Sequence, residues 1–310
     1  MPVTLRAKCI GSLALKMLST ENSAVAGQVV NVFSNSFYLK TSSGDLAFVT
    51  NYSVRSPITI NLDTTLNLER VVKPLELLYA SGKKIQIGAD CIIDLSEAPL
   101  YQSPPSLPSE PVSGIQEIVK SLRVVSFILR IVETSQSVLD PHGLAHAGVV
   151  DLVSNGIIPL RQAGMEERFL EAALKIVGLG LGFTPSGDDV LGGFLLAYNS
   201  FADAIGRTPI LLESRLLEEK TSWISAKLLD YMQHLIVDEQ LERFLGSVFS
   251  GDEDDAVIAL ETLLPRGHTS GIDITVGAIL ALSLIRDIAF EKQETEIIAS
   301  TLGLGRESTY

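Results

Sequence analysis

The sequence predicts an α+β protein, in which a small N-terminal antiparallel β domain precedes a larger helical domain containing a duplicated helix-turn-helix unit. Three observations support this prediction. Short runs rich in Val, Phe and Tyr occupy the first hundred residues, a proline-rich segment follows, and the remainder spaces its apolar residues at helical intervals. We therefore expect a β-rich domain over 1–98, a linker over 99–111 and a helical domain over 112–310.

Turn residues separate the predicted strands of the first domain. Val25–Phe33, 37–41 and Leu46–Thr50 are the clearest runs, and Gly44-Asp45 lies in the hairpin turn between the last two. Weaker runs lie at 58–62, 84–87 and 91–95. Their short, regular spacing is typical of an antiparallel sandwich or barrel.

The linker and the helices after it are predicted from composition and periodicity. Five prolines lie between Pro99 and Pro111, and proline fixes φ and donates no backbone hydrogen bond. Beyond them, apolar residues recur every three to four positions. The predicted helices are 115–129, 165–176, 185–201, 222–235, 241–249, 255–264 and 271–287.

Composition excludes several classes of partner. The net charge of −13 disfavours nucleic acid and anionic membranes, whose binding depends on Lys and Arg. The most apolar stretch, 272–290, is interrupted by Asp273, Arg286 and Asp287, so we expect no membrane span. Two distant cysteines and no signal-peptide pattern predict a reduced, cytoplasmic protein.

The first candidate site is a glycine-rich turn that begins at Gly178. Gly180 and Gly182 allow backbone angles that other residues resist, and Thr184-Pro185 predicts a helix start with Thr184 as N-cap. Free N–H groups at such a helix start favour an anion. The spacing is neither a dinucleotide fingerprint nor a Walker loop, so we expect a small anionic ligand.

Two acids follow this turn, at the start of a helix that is apolar on nearly all sides. Asp188 and Asp189 either complement the helix N-terminus or belong to a site, because a buried carboxylate needs a partner, a metal or a proton. The second turn, which contains Ser270 and Asp273, also begins an apolar helix. There a simple capping pair is the alternative interpretation.

The two helix starts align at a constant offset of 84 residues. Ser186-Gly187-x-Asp189 corresponds to Ser270-Gly271-x-Asp273, and Gly193 corresponds to Gly277. We hypothesise a duplicated unit whose two copies pack about a local two-fold axis, with both helix N-termini facing one pocket. Chance similarity between two apolar helices is the alternative.

These motifs, Gly-Leu-Gly-Leu-Gly-Phe-Thr-Pro-Ser-Gly-Asp-Asp and Gly-His-Thr-Ser-Gly-x-Asp, resemble those of the AllH-like family, and the resemblance extends over most of the chain. The sequence departs from the family at Leu181, where proline is frequent. The family includes a subunit of oxamate carbamoyltransferase, an enzyme of allantoin breakdown that moves a carbamoyl group between carbamoyl phosphate and oxamate. The resemblance implies a small anionic substrate and further enzyme subunits as partners.

Candidate roles follow from this chemistry. His268, Asp188 and Asp189 are the candidate catalytic residues, and either aspartate could instead hold Mg²⁺. Arg266 can bind a carboxylate or phosphate with two hydrogen bonds. The other candidate substrate-binding residues are Gly180, Gly182, Thr184, Ser186, Gly187, Thr269, Ser270, Gly271 and Asp273. A non-catalytic subunit and a metal-dependent hydrolase using Asp188 and Asp189 remain as alternatives.

Overall fold

The computed structural model describes residues 2–18, 25–103, 111–291 and 293–305, with only the backbone described for 111–116. Two compact units divide the chain. The first comprises Met1–Pro105 with Val237–Glu239, and the second comprises Ser106–Ile236 with Gln240–Tyr310. Most of the predicted linker lies outside the described residues, at 104–110.

The described residues of the first unit form nine strands, one short α-helix, α1 (Ser12–Leu18), and a 3-10 turn at Leu68–Arg70. The sequence-predicted runs all form strands, within two residues of their expected bounds. The strands are β1 (Val3–Gly11), β2 (Val25–Phe33), β3 (Ser36–Thr41), β4 (Leu46–Thr50), β5 (Thr59–Leu62), β6 (Leu77–Ser81), β7 (Lys84–Ile87), β8 (Cys91–Asp94) and β9 (Leu100–Tyr101).

These strands form a closed barrel, so the prediction of an antiparallel β domain was wrong. The order is β5-β4-β3-β2-β6-β7-β8-β1-β9, and pairing of β5 with β1 closes a ring of eight strands. The pairings β4–β5, β1–β8 and β1–β9 are parallel. Alternating burial tells which face of a strand is apolar, but it specifies neither the partner nor the direction of pairing.

The barrel core comes from the inward side chains of every strand in the ring. In the middle of β1 buried and exposed residues alternate: Leu5 and Ala7 are buried, whereas Arg6 and Lys8 are exposed. Phe37, Leu39 and Ile60 are fully buried in the same cluster. This alternation is the period-2 pattern of a sheet with one apolar face.

The second unit is helical. Its helices are α2 (Pro111–Ile131), α3 (His146–Asp151), α4 (Glu166–Ile176), α5 (Ser186–Phe201), α6 (Ser214–Glu218), α7 (Trp223–Gln233), α8 (Glu239–Ser250), α9 (Glu253–Leu263), α10 (Ser270–Phe290) and α11 (Glu294–Thr301). Helices α5 and α10 are buried along nearly their whole length and pack against each other. Within the described ranges, no helix is both long enough and apolar enough to cross a bilayer.

Candidate functional site

Two glycines set the contact between α5 and α10. A Cβ atom on Gly193 would lie 2.0 Å from the carbonyl oxygen of Ile274, and one on Gly277 would lie 1.9 Å from that of Val190. Both distances are impossible for a real side chain, so only glycine permits this approach. Gly193 corresponds to Gly277, and Val190 to Ile274, at the same offset of 84 residues. Each copy therefore makes the same contact with the other, as a local two-fold axis would produce.

A second pair of glycines, at the starts of α5 and α10, makes similarly close contacts. A Cβ atom on Gly187 would lie 2.1 Å from the carbonyl oxygen of Ile176, the last residue of α4. One on Gly271 would lie 1.9 Å from that of Leu263, the last residue of α9. The units α4–turn–α5 and α9–turn–α10 therefore share the same local packing.

The two turns meet through hydroxyl groups. The Thr184 Oγ1 atom lies 3.0 Å from Ser270 Oγ and donates to Asp189 Oδ2 at 3.2 Å. Thr184 is not the N-cap that the sequence suggested, because α5 begins at Ser186 and Pro185 occupies the cap position in an extended conformation. The Thr184 side chain joins the two copies of the unit instead.

Asp189 is buried where the turns meet, with 7% of its surface exposed. Burial raises the pKa of its carboxyl to about 7, and the like charge of Asp273 contributes to the increase. Hydrogen bonding from Ser270 and the positive charge of Arg266 act in the opposite direction, with a smaller contribution from Thr184. Asp189 is therefore poised between its neutral and charged forms near neutral pH.

Asp273 is the equivalent residue in the second copy and is fully buried. Its Oδ1 atom accepts hydrogen bonds from Ser137 Oγ and Val138 N, both at 2.9 Å, so it does not close the capping pair considered above. Its Oδ2 atom has no hydrogen-bond partner. Burial raises the pKa of Asp273, and the nearby hydroxyl of Ser186 partly opposes that increase.

The serine of each copy acts on the aspartate of the other copy. Ser270 of the second turn favours the charged form of Asp189, and Ser186 of the first turn favours that of Asp273. The Ser186 Oγ atom also donates to the carbonyl oxygen of Gln136 at 3.3 Å. The site is therefore assembled reciprocally from both turns.

Asp188 has a different environment from its neighbour. Its carboxylate accepts hydrogen bonds from Gly178 N at 2.7 Å, Thr221 Oγ1 at 2.5 Å and Ser225 Oγ at 2.6 Å. Burial raises its pKa, and these three donors oppose the increase. Asp188 thus fastens the glycine-rich turn to the start of α7.

The segment that contains both turns was compared with known protein families. The family model described as oxamate carbamoyltransferase subunit AllH matches residues 176–282, which include both turns. This segment belongs to the AllH-like family. Searches of curated proteins and of solved structures returned no match. The wider resemblance, over the β-rich N-terminal unit, stays a prediction.

The remaining predicted residues line the turns of the AllH-like segment. Gly180 and Gly182 have φ angles of +118° and +98°, which side chains resist. Arg266 and Thr269 are half-buried, and the charge of Arg266 reaches Asp189. His268 is exposed to solvent, unlike the buried aspartates. The site thus has a buried carboxylate pair and a more accessible cationic edge.

Several residues of the site carry no signal in the sequence. Ser137 and Val138 precede the AllH-like segment, in a loop that follows α2, and they bind Asp273 through a contact separated by about 135 residues of chain. Gln136, beside them, has a φ of +69°, which is unusual outside glycine. Thr221 precedes α7 and Ser225 lies in its first turn, and their sequence context indicates only an N-cap. Long-range hydrogen bonds of this kind leave no local periodicity to detect.

Proposed function

We propose that this chain is a subunit of a carbamoyltransferase and binds a small anion, carbamoyl phosphate or oxamate, where its two turns meet. The observation that carries the proposal is the contact between Thr184 and Ser270, 3.0 Å apart, inside a segment that matches the AllH family. That contact brings the starts of two long helices together. Backbone N–H groups at helix starts bind anions.

The side chains support distinct roles in such a subunit. Asp189 has an elevated pKa and accepts a hydrogen bond from a hydroxyl, so it can exchange a proton during carbamoyl transfer. His268 is accessible to an entering substrate, and Arg266 supplies positive charge beside Asp189. Asp188 is less suited to chemistry, because three donors already occupy its oxygens.

The test measures carbamoyl transfer from carbamoyl phosphate to oxamate by the chain alone and with its partner subunits. Asp189→Asn and His268→Ala should each lower turnover by about 100-fold or more, because proton transfer by a positioned group contributes about 10²–10⁴-fold. His234→Ala is the matched control, at the far end of α7 from the turn. Wild-type turnover in both site variants would refute the catalytic role.

A non-catalytic subunit is the second candidate, and one observation favours it. The buried acid Asp188 holds the backbone N–H group of Gly178, and Asp273 holds that of Val138, as structural carboxylates do. In that case turnover by the complex requires the chain but survives both site substitutions. The hydrolase alternative, which uses Asp188 together with Asp189, has less support, because three donors already engage the Asp188 carboxylate.

A further inference from the structure

The carboxylate pair creates an electrostatic problem for the proposed anion site. Asp189 and Asp273 are both buried at the helix starts where an anion would bind, and the charge of Asp273 disfavours the charged form of Asp189. An anionic ligand would add a third negative charge to a site with little water. Buried charges of one sign persist only when a proton or a cation compensates them.

The Asp273 carboxylate supplies an independent indication of a missing ligand. Its Oδ1 atom accepts two hydrogen bonds, so the direction of the group is fixed. Its buried Oδ2 atom accepts none, although the hydroxyls of Ser186 and Thr269 lie close enough to favour the charged form of Asp273. Buried carboxylate oxygens nearly always accept a hydrogen bond, and one that accepts none calls for a further partner such as an ion. The Asp189 Oδ2 atom accepts a long hydrogen bond from Thr184 at 3.2 Å, and the Ser270 hydroxyl also favours the charged form of this carboxylate.

We propose that Asp189 and Asp273 together bind a hard divalent cation, Mg²⁺ or Mn²⁺, at the point where the two turns meet. The second part of the inference rests on the proposed function: the anionic substrate completes the coordination of that cation. The cation would neutralise the carboxylate pair and reverse the sign of the charge that the substrate meets.

The donor set suits such an ion. Two carboxylates and the hydroxyls of Thr184 and Ser270 are all oxygen donors, which Mg²⁺ and Mn²⁺ prefer. Mg²⁺ typically uses one or two carboxylates, several waters and the phosphate oxygens of a substrate, so a third acidic ligand is not required. Asp188 lies outside this set, because the fold already uses its oxygens.

The experiment titrates MnCl₂ into the full-length chain at pH 8 after removal of metals, and follows free Mn²⁺ by electron paramagnetic resonance. We expect one saturable Mn²⁺ per chain, displaced by MgCl₂. Loss of an outer-shell partner already weakens metal binding by about 10–100-fold, so Asp189→Asn and Asp273→Asn should each weaken it by at least about 100-fold. Asp254→Asn, an exposed acid of α9, is the matched control and should bind as the wild type does.

The variants are chosen to keep the fold. An Asn at 273 retains an oxygen that accepts from Ser137 and Val138, and the fluorescence of Trp223 reports folding of the helical unit. If either variant fails to fold, Ser270→Ala serves in its place, because it keeps both carboxylates and should still weaken Mn²⁺ binding.

Two outcomes overturn the inference: no saturable Mn²⁺ binding by the wild type, or equal binding by wild type and folded Asp189→Asn and Asp273→Asn. A parallel calorimetric titration of carbamoyl phosphate, with MgCl₂ or with a chelator, separates this result from the proposed function. Binding that persists in the chelator preserves the anion site and refutes the cation as its mediator. Mn²⁺ binding without any anion binding preserves the metal site and refutes the proposed ligand.

Discussion

Replacement of Asp189 by Asn should change how the stability of the helical unit depends on pH. Burial raises the pKa of Asp189 from an ordinary 3.8 to about 7. Between these two values the folded chain keeps a proton that the unfolded chain has lost. The free energy of unfolding of the wild type therefore falls as pH rises from about 4 to about 7, and this contribution is constant above that range.

The size of the effect follows from the pKa change. A difference of about 3 pKa units corresponds to ~4 kcal/mol at 1.36 kcal/mol per unit. The Asn variant carries no titrating group at this position. It also removes the like charge that Asp273 faces, so the pKa of Asp273 should fall as well. Relative to the wild type, the variant should gain about 3 kcal/mol between pH 4.5 and pH 8, because part of the change already occurs below pH 4.5.

Urea unfolding at several pH values, in a chelator, measures this difference. The chain has a single tryptophan, Trp223 at the start of α7, so its fluorescence follows the unit that contains the site. Variant and wild type should diverge progressively as pH rises. A stability difference that stays constant within about 0.5 kcal/mol from pH 4.5 to pH 8 would show that Asp189 titrates normally, and the reasoning would be wrong.

Three further substitutions test the packing and hydrogen bonds of the site, all by urea unfolding followed at Trp223. Gly193→Ala should lower the free energy of unfolding by at least about 2 kcal/mol, because the added methyl group would lie 2.0 Å from a carbonyl oxygen. Gly305→Ala, where the nearest atom is 3.4 Å away, should lower it much less. Equal effects of the two substitutions would contradict the close helix contact. Asp188→Ala should lower the free energy of unfolding by about 2–4 kcal/mol, because three donors lose their acceptor. Unchanged stability would show that Asp188 has no structural role. Ser137→Ala should cost about 1 kcal/mol and more at pH 8 than at pH 5, because its hydrogen bond favours the charged form of Asp273; a loss independent of pH would contradict that coupling.

Local sequence patterns predicted much of the secondary structure of this fold. Strand β2 and strand β4 have the predicted bounds, and the seven predicted helices of the second unit begin and end within a few residues of expectation. The short helices α3, α6 and α11 were not predicted. Barrel closure was not predictable in the same way, because it depends on pairing of β5 with β1, about 50 residues apart. Each strand shows only its own alternation, which is the same in an open sheet and in a closed barrel.

The candidate site was likewise predictable from the sequence only in part. The offset of 84 residues identified Asp189 and Asp273 as equivalent, and the reciprocal contacts of Gly193 and Gly277 support that relation. The distinct environments of Asp188 and Asp189 were not predictable, since the two residues are adjacent on one helix. Their difference arises from rotation of about 100° per residue, which turns one carboxylate towards α7 and the other towards the second turn.

The pairing of β1 has a consequence for synthesis of the chain. This strand, at the N-terminus, pairs with β5, β8 and β9, so its last partner ends at Tyr101. At a translation rate of about 5–20 residues per second, the first strand waits roughly 5 to 20 s for that partner to be made. Until each partner strand is made, the backbone edge of β1 that it will cover is open to other chains. The outward positive charges of Arg6 and Lys8 are suited to protect a nascent strand, because charge on an unpaired strand opposes aggregation.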